Sequence, residues 1–175
     1  ATYEPLPKQM EEIAQTSLYF RIGVPFEAAW LDQIQELNPQ LKIVDTRRGI
    51  ELRTIEGSPS GNEGSEREVK DPHIWLDPLL VRIQAETIYE ELVRLDPSQQ
   101  EFYRQRLDDF QRELEELHQE LAATLEMLPV KKLMVFHPAW GYLLDRYGWE
   151  QIPIEVEGKE PGPKALEEII ELAQR

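Results

Sequence analysis

There is no cysteine among the 175 residues, so the chain can form no disulfide, offer no thiolate nucleophile and build no cysteine-type zinc site. Any transition-metal site must use imidazoles and carboxylates. Histidine is scarce as well: His73, His118 and His137 are the whole supply. Positive charge is also short. Against 34 Asp and Glu stand 19 Lys and Arg, and the formal charge of -15 would repel a phosphate backbone, so no nucleic-acid partner is expected. No apolar run approaches the roughly 20 residues needed to span a bilayer. The glycine-rich nucleotide loops, the G-x-S-x-G elbow and H-E-x-x-H are all absent, which removes the commonest nucleotide-binding, hydrolase and metalloprotease signatures.

What is present suits a folded core: 41% hydrophobic residues with 4 Trp and 6 Tyr, enough for one ordinary domain or two small lobes. A short helical pattern from Pro7 leads into the apolar run Leu18 to Ile22, closed by Gly23, which reads as a strand. Helix-spaced Phe26, Trp30, Leu31, Ile34 and Leu37 precede a second strand, Leu41 to Val44. Residues 53–70 collect Gly, Ser, Pro, Asn and Glu without periodicity and read as an acidic loop. Asp77-Pro78 and Asp96-Pro97 are helix starts, with Asp as cap and Pro as first helical residue. The second of these opens a stripe of Tyr103, Leu107, Phe110, Leu114, Leu117, Leu121 and Leu125, a helix expected to run to Met127. Lys132 to Phe136 reads as a strand running into His137-Pro138, then a helix from Ala139 to Tyr147, a strand Ile152 to Glu155 and a closing helix to Arg175. This alternation predicts an α/β fold whose mainly parallel sheet is covered by helices.

His137 stands where a buried strand ends and a helix begins, the place where open α/β sheets put ligand-binding residues. His73 lies on a similar connection, and two Pro-flanked imidazoles from separate lobes could share a metal. The residues alone leave each His open to a second reading, an ordinary polar group at an element boundary. His118, amid Glu and Gln, reads as part of a solvated helix face. Asp71 could orient His73, whereas Asp77 reads as a cap. Glu155, Glu157 and Glu160 read as solvated loop carboxylates, and Trp75 and Trp140 as core.

Taken in order, Thr2-Tyr3-Glu4-Pro5-x-Pro7, Asp71-Pro72-His73-Ile74-Trp75-Leu76-Asp77-Pro78, Phe136-His137-Pro138-Ala139-Trp140-Gly141-Tyr142 and Ile154-Glu155-x-Glu157-Gly158-x-Glu160-Pro161 resemble the metal-binding subunits of bacterial zinc and manganese ABC transporters, the cluster A-I solute-binding proteins, and the zinc branch in particular. The resemblance spans essentially the whole chain. It implies two lobes of parallel sheet flanked by helices and joined by one long rigid helix, divided as residues 1–95, 96–128 and 129–175. It further implies a non-enzymatic monomer on the periplasmic or extracellular side of the cytoplasmic membrane, which captures Zn2+ at the lobe interface through His73 and His137 and delivers it to a membrane permease.

Three departures qualify that expectation. Ala1 stands where the family has its first ligand His, residues 53–70 contain no His, and the family's opening unit and final elements, with their acidic fourth ligand, have no counterpart here. The resemblance thus implies a chain lacking both ends of the family domain and binding zinc with impaired affinity. The competing readings are a manganese or iron carrier of the same family, an interaction module pairing through the long helix, and a metal-dependent hydrolase.

Overall fold

The computed structural model describes residues 5–55, 70–155, 161–162 and 167. Ala1 and most of the T-Y-E-P motif, the interior of the acidic loop, Glu157, Glu160 and, except for Glu167, the closing helix lie outside the described residues. The order of elements is α1 (Pro7–Ile13), β1 (Leu18–Arg21), α2 (Pro25–Leu37), β2 (Lys42–Asp45), a single 3-10 turn at Ile74–Leu76, α3 (Pro78–Leu95), another at Pro97–Gln99, α4 (Gln100–Glu126), β3 (Lys132–Val135), α5 (Gly141–Arg146) and β4 (Glu150–Pro153). Packing divides the chain into two compact units, each discontinuous in sequence: Ala1–Ile50 with Ile83–Asp109, and Glu51–Arg82 with Phe110–Arg175. Each holds a parallel strand pair, β1 with β2 and β3 with β4. The class is α/β, with parallel sheets and a helix, α4, of 27 residues, about 40 Å at 1.5 Å per residue.

In the first unit, Ile34 of α2, Leu41 and Val44 beside and within β2, and Leu107 of α4 are buried. The turn between β1 and α2 takes a left-handed residue at Gly23 (φ 82), where a Cβ would also stand 2.0 Å from the Arg47 guanidinium. Glu27 in the first turn of α2 is buried and its carboxylate accepts the Ile22 and Gly23 N–H groups at 3.1 and 2.6 Å, so the amides that the turn leaves unpaired are satisfied. Polar groups buried deeper are paired in the same way. Gln84 of α3 donates to the Thr46 hydroxyl at 2.9 Å, which in turn donates to the Arg21 carbonyl at 2.9 Å. Glu91 of α3, only 4% exposed, is paired with Lys42 of β2 and with Arg94.

In the second unit Ile74, Leu114, Val135, Tyr142, Leu144 and Trp149 form the buried apolar set. The strand expected at Ile152 to Glu155 begins two residues earlier, because Glu150 is drawn into register opposite Lys132. The helix after His137-Pro138 begins at Gly141 rather than Ala139, since Ala139 N–H turns back to the His137 carbonyl at 2.8 Å. The stripe on α4 also divides. Leu107 and Leu114 are buried, whereas Phe110 and Leu117 are exposed, so the face that packs is narrower than the full hydrophobic pattern.

Two outcomes test this packing. Leu144→Ala, at a position 2% exposed, is expected to lower unfolding free energy by about 2–5 kcal/mol in urea titration. The hydrogen bond from Lys42 holds the Glu91 carboxyl below its ordinary 4.5, against the opposing effect of burial. The folded protein therefore takes up this proton at lower pH than the unfolded chain, and the pair contributes stability above about 4.5 that is lost as pH falls through the depressed value. Lys42→Met should reduce stability at neutral pH and flatten its decline in acid; parallel pH curves for parent and variant would contradict the assignment.

Candidate metal centre

Parallel pairing of β3 and β4 brings both strands to the same edge. Val135 pairs with Pro153, so residues two further on, His137 and Glu155, arrive side by side. The ladder continues past the strands, with Ile154 N–H donating to the Val135 carbonyl at 2.8 Å and Glu155 N–H to the Phe136 carbonyl at 3.0 Å. The Glu155 carboxylate hydrogen-bonds His137 Nδ1. Glu155 is thus buried and engaged, not the solvated loop carboxylate that its acidic surroundings suggest, because sheet register delivers it to an imidazole.

The other imidazole is positioned locally. In Asp71-Pro72-His73 a single carboxylate oxygen, Asp71 Oδ1, accepts the His73 backbone N–H at 2.9 Å and meets His73 Nδ1 at 2.6 Å. This is an Asx turn whose acceptor also grips the ring, and Pro72 restricts the backbone between them. Asp71 is 1% exposed and Ile74, immediately after the histidine, is fully buried, so the turn is anchored on both sides. The role expected for Asp71 as an orienting carboxylate matches this geometry.

His73 and His137 both belong to the second unit, although they lie on opposite sides of α4 in sequence. Their ring centroids are 5.2 Å apart with planes at 76°. The His73 side chain is 14% exposed and that of His137 53%, so one imidazole is enclosed and the other open to solvent. With a carboxylate accepting from Nδ1–H, each neutral ring keeps its lone pair on Nε2, the tautomer suited to binding a metal there. Among the described residues no group of three or more His, Asp and Glu side chains is disposed to hold a metal.

Neighbouring residues depart from expectation in instructive ways. Trp75 and Trp140 are 39% and 40% exposed, not core; Trp75 stands edge-on to His73 with centroids 5.2 Å apart, a wall beside the pair. His118 is not on a solvated face: it stacks on Tyr147 at 5.6 Å and hydrogen-bonds its hydroxyl at 3.0 Å. The reason is helical phase, since His118 follows buried Leu114 by one turn whereas Leu117 faces outward. Burial and the nearby Asp77 carboxylate raise the Tyr147 pKa, keeping that phenol protonated. Asp77 does cap α3, accepting Leu79 N–H at 2.9 Å, and its second oxygen also accepts from the Arg146 guanidinium at 2.9 and 2.7 Å. Arg146 does not stand out in the sequence, and Tyr142 enters it only as the last residue of the motif at 136–142, with no role attached.

A family model described as "Zinc-uptake complex component A periplasmic" matches residues 1–175. The chain belongs to this family. It is 28% identical over 160 residues to the high-affinity zinc uptake system protein ZnuA of Bacillus subtilis, covering 87% of this chain and 49% of that protein. It is also 28% identical over 184 residues to the manganese ABC transporter substrate-binding lipoprotein PsaA of Streptococcus anginosus, covering 97% of this chain and 56% of that one. A crystal structure of ZnuA superposes with a TM-score of 0.87 at 41% identity, over 98% of this chain and 65% of the other. The chain thus spans about half the length of these curated relatives. The family is one of extracytoplasmic metal ABC transporter substrate-binding proteins, with zinc and manganese members both represented.

Asp71→Ala is expected to release His73 from its Nδ1–H form. Nitrogen-15 correlation spectra of the neutral imidazoles should show His73 moving toward the Nε2–H tautomer while His137 keeps its pattern, and an unchanged His73 would contradict the orienting role.

Proposed function

We propose that this chain captures zinc through His73 and His137 on its second unit, as the metal-binding part of a protein that delivers its cargo to a membrane permease. The observation that carries the reading is the imidazole pair. With Zn–N of roughly 2.0–2.1 Å, two tetrahedral imidazole ligands have ring centroids about 5 Å apart. The 5.2 Å between His73 and His137 fits that arrangement. The donor chemistry favours zinc over manganese, because neutral imidazoles suit the softer ion and carboxylate-rich sites suit the harder one. Here the nearby carboxylates of Asp71 and Glu155 engage ring nitrogens at Nδ1. They support the ligands from outside.

Two imidazoles are half of a tetrahedral set, so water or another carboxylate completes the coordination and affinity is lower than at a full protein site. A manganese carrier is the second reading, supported by the relatives named for that metal. Titrating the chelator-stripped chain with zinc against a competing dye decides between them. One zinc per chain is expected, weakened tenfold or more by His73→Ala and by His137→Ala, with equimolar manganese failing to displace it. Binding indifferent to both substitutions would sink the assignment, and displacement by manganese would establish the second reading.

A further inference from the structure

The two candidate ligands are held by separate loops, and something must set the distance between them. Tyr142, on α5 just after the His137 loop, is buried at 5% exposure. Its hydroxyl donates to the Asp71 carbonyl at 2.8 Å and accepts the Arg53 N–H at 2.9 Å. The Asp71 N–H closes the triangle by donating to the Arg53 carbonyl at 2.9 Å. The same arginine reaches over α5: its guanidinium pairs with Asp145 at 2.8 Å, lies 5.7 Å from the Tyr142 ring centre, and occupies the space where a Cβ at Gly141 would sit, 1.5 Å from its nitrogen.

Each arm of the triangle is a different segment. Arg53 leads into the acidic loop, Asp71 is the residue whose side chain orients His73, and Tyr142 belongs to the helix that begins four residues after His137. A hydroxyl that is both donor and acceptor is the single group joining all three. It donates one bond and accepts another within a buried environment, where leaving either partner unpaired is costly.

Resting on the metal-binding reading above, we propose that Tyr142 is a positioning residue for the imidazole pair: its hydroxyl ties the Asp71–His73 turn to the helix following His137 and thereby sets the spacing at which the two rings meet a metal. The residue touches no metal itself. It acts through Asp71, and its removal should alter the geometry of the site without removing a ligand.

Tyr142→Phe deletes only the hydroxyl. Zinc affinity should fall about tenfold, the scale at which groups behind metal ligands act. The visible absorption of the cobalt-loaded protein, which reports the arrangement of ligands on bound metal whatever fraction of the chain is folded, should change in intensity and position. Placing 4-aminophenylalanine at position 142, which restores a donor and a lone pair at the same site, should recover both. A cobalt spectrum identical to the parent's would overturn the proposal, and an affinity loss tracking only a lowered melting temperature would do the same. His73→Ala and His137→Ala run alongside keep the two readings apart. If they leave binding intact, the ligand assignment fails; if they abolish it while Tyr142→Phe matches the parent, only the positioning role fails.

Discussion

An imidazole presents a defined lone pair to a metal only when its other nitrogen is held, and both candidate rings here are held at Nδ1 by a buried carboxylate. The surrounding structure serves that constraint. A carboxylate buried beside a ring is itself costly unless its position is enforced, and each is enforced by a different device. Asp71 is secured by its own turn, with one oxygen on the His73 amide and its backbone bonded to Arg53 and Tyr142. Glu155 is secured by the extension of the β3–β4 ladder, which carries it to the level of His137.

The rest of the second unit steadies these two devices. Ile74, next to His73 in the chain, is fully buried, and Asp77 anchors the start of α3 while pairing with Arg146 of α5. Gln151 of β4 accepts the Trp140 N–H at 2.8 Å, fixing the backbone just beyond His137. Polar contacts thus link β4, α5 and the first turn of α3. Trp75 and Trp140, next to the two histidine turns in sequence, remain partly exposed, and the His137 edge is left accessible. The first unit shows the same economy of buried polar groups without a comparable cluster of histidines: Glu27, Thr46, Gln84 and Glu91 each meet a partner.

Much of this is legible in the amino-acid sequence. The alternation of short apolar runs with helical stripes points to parallel α/β pairing, and Asp-Pro marks the starts of the two longer helical segments, although the second opens as a 3-10 turn. The D-P-H turn can be understood from three adjacent residues, since Asp71 reaches only two positions along the chain. Harder to see are Glu155 and Tyr142. Nothing local distinguishes Glu155 from its acidic neighbours, and Tyr142 lies 71 positions from the carbonyl it holds. His118 departs from its expected solvated face for a related reason: a pattern of leucines does not say which of two adjacent stripes a neighbouring strand or helix will cover.

The sequence by itself determined the chemical repertoire, because a chain without cysteine and with three histidines can build a transition-metal centre only from imidazoles and oxygen ligands. It also determined the elements and the local turn that orients His73, since capping, periodicity and Asx geometry operate over a few residues. The tertiary structure alone decided that His73 and His137 face one another at 5.2 Å, that Glu155 stands behind one of them and that Tyr142 joins their loops. Those relations depend on strand register and side-chain packing between segments far apart in the chain. Such contacts leave no local periodic trace, because each residue contributes only one side of a fit that its distant partner completes.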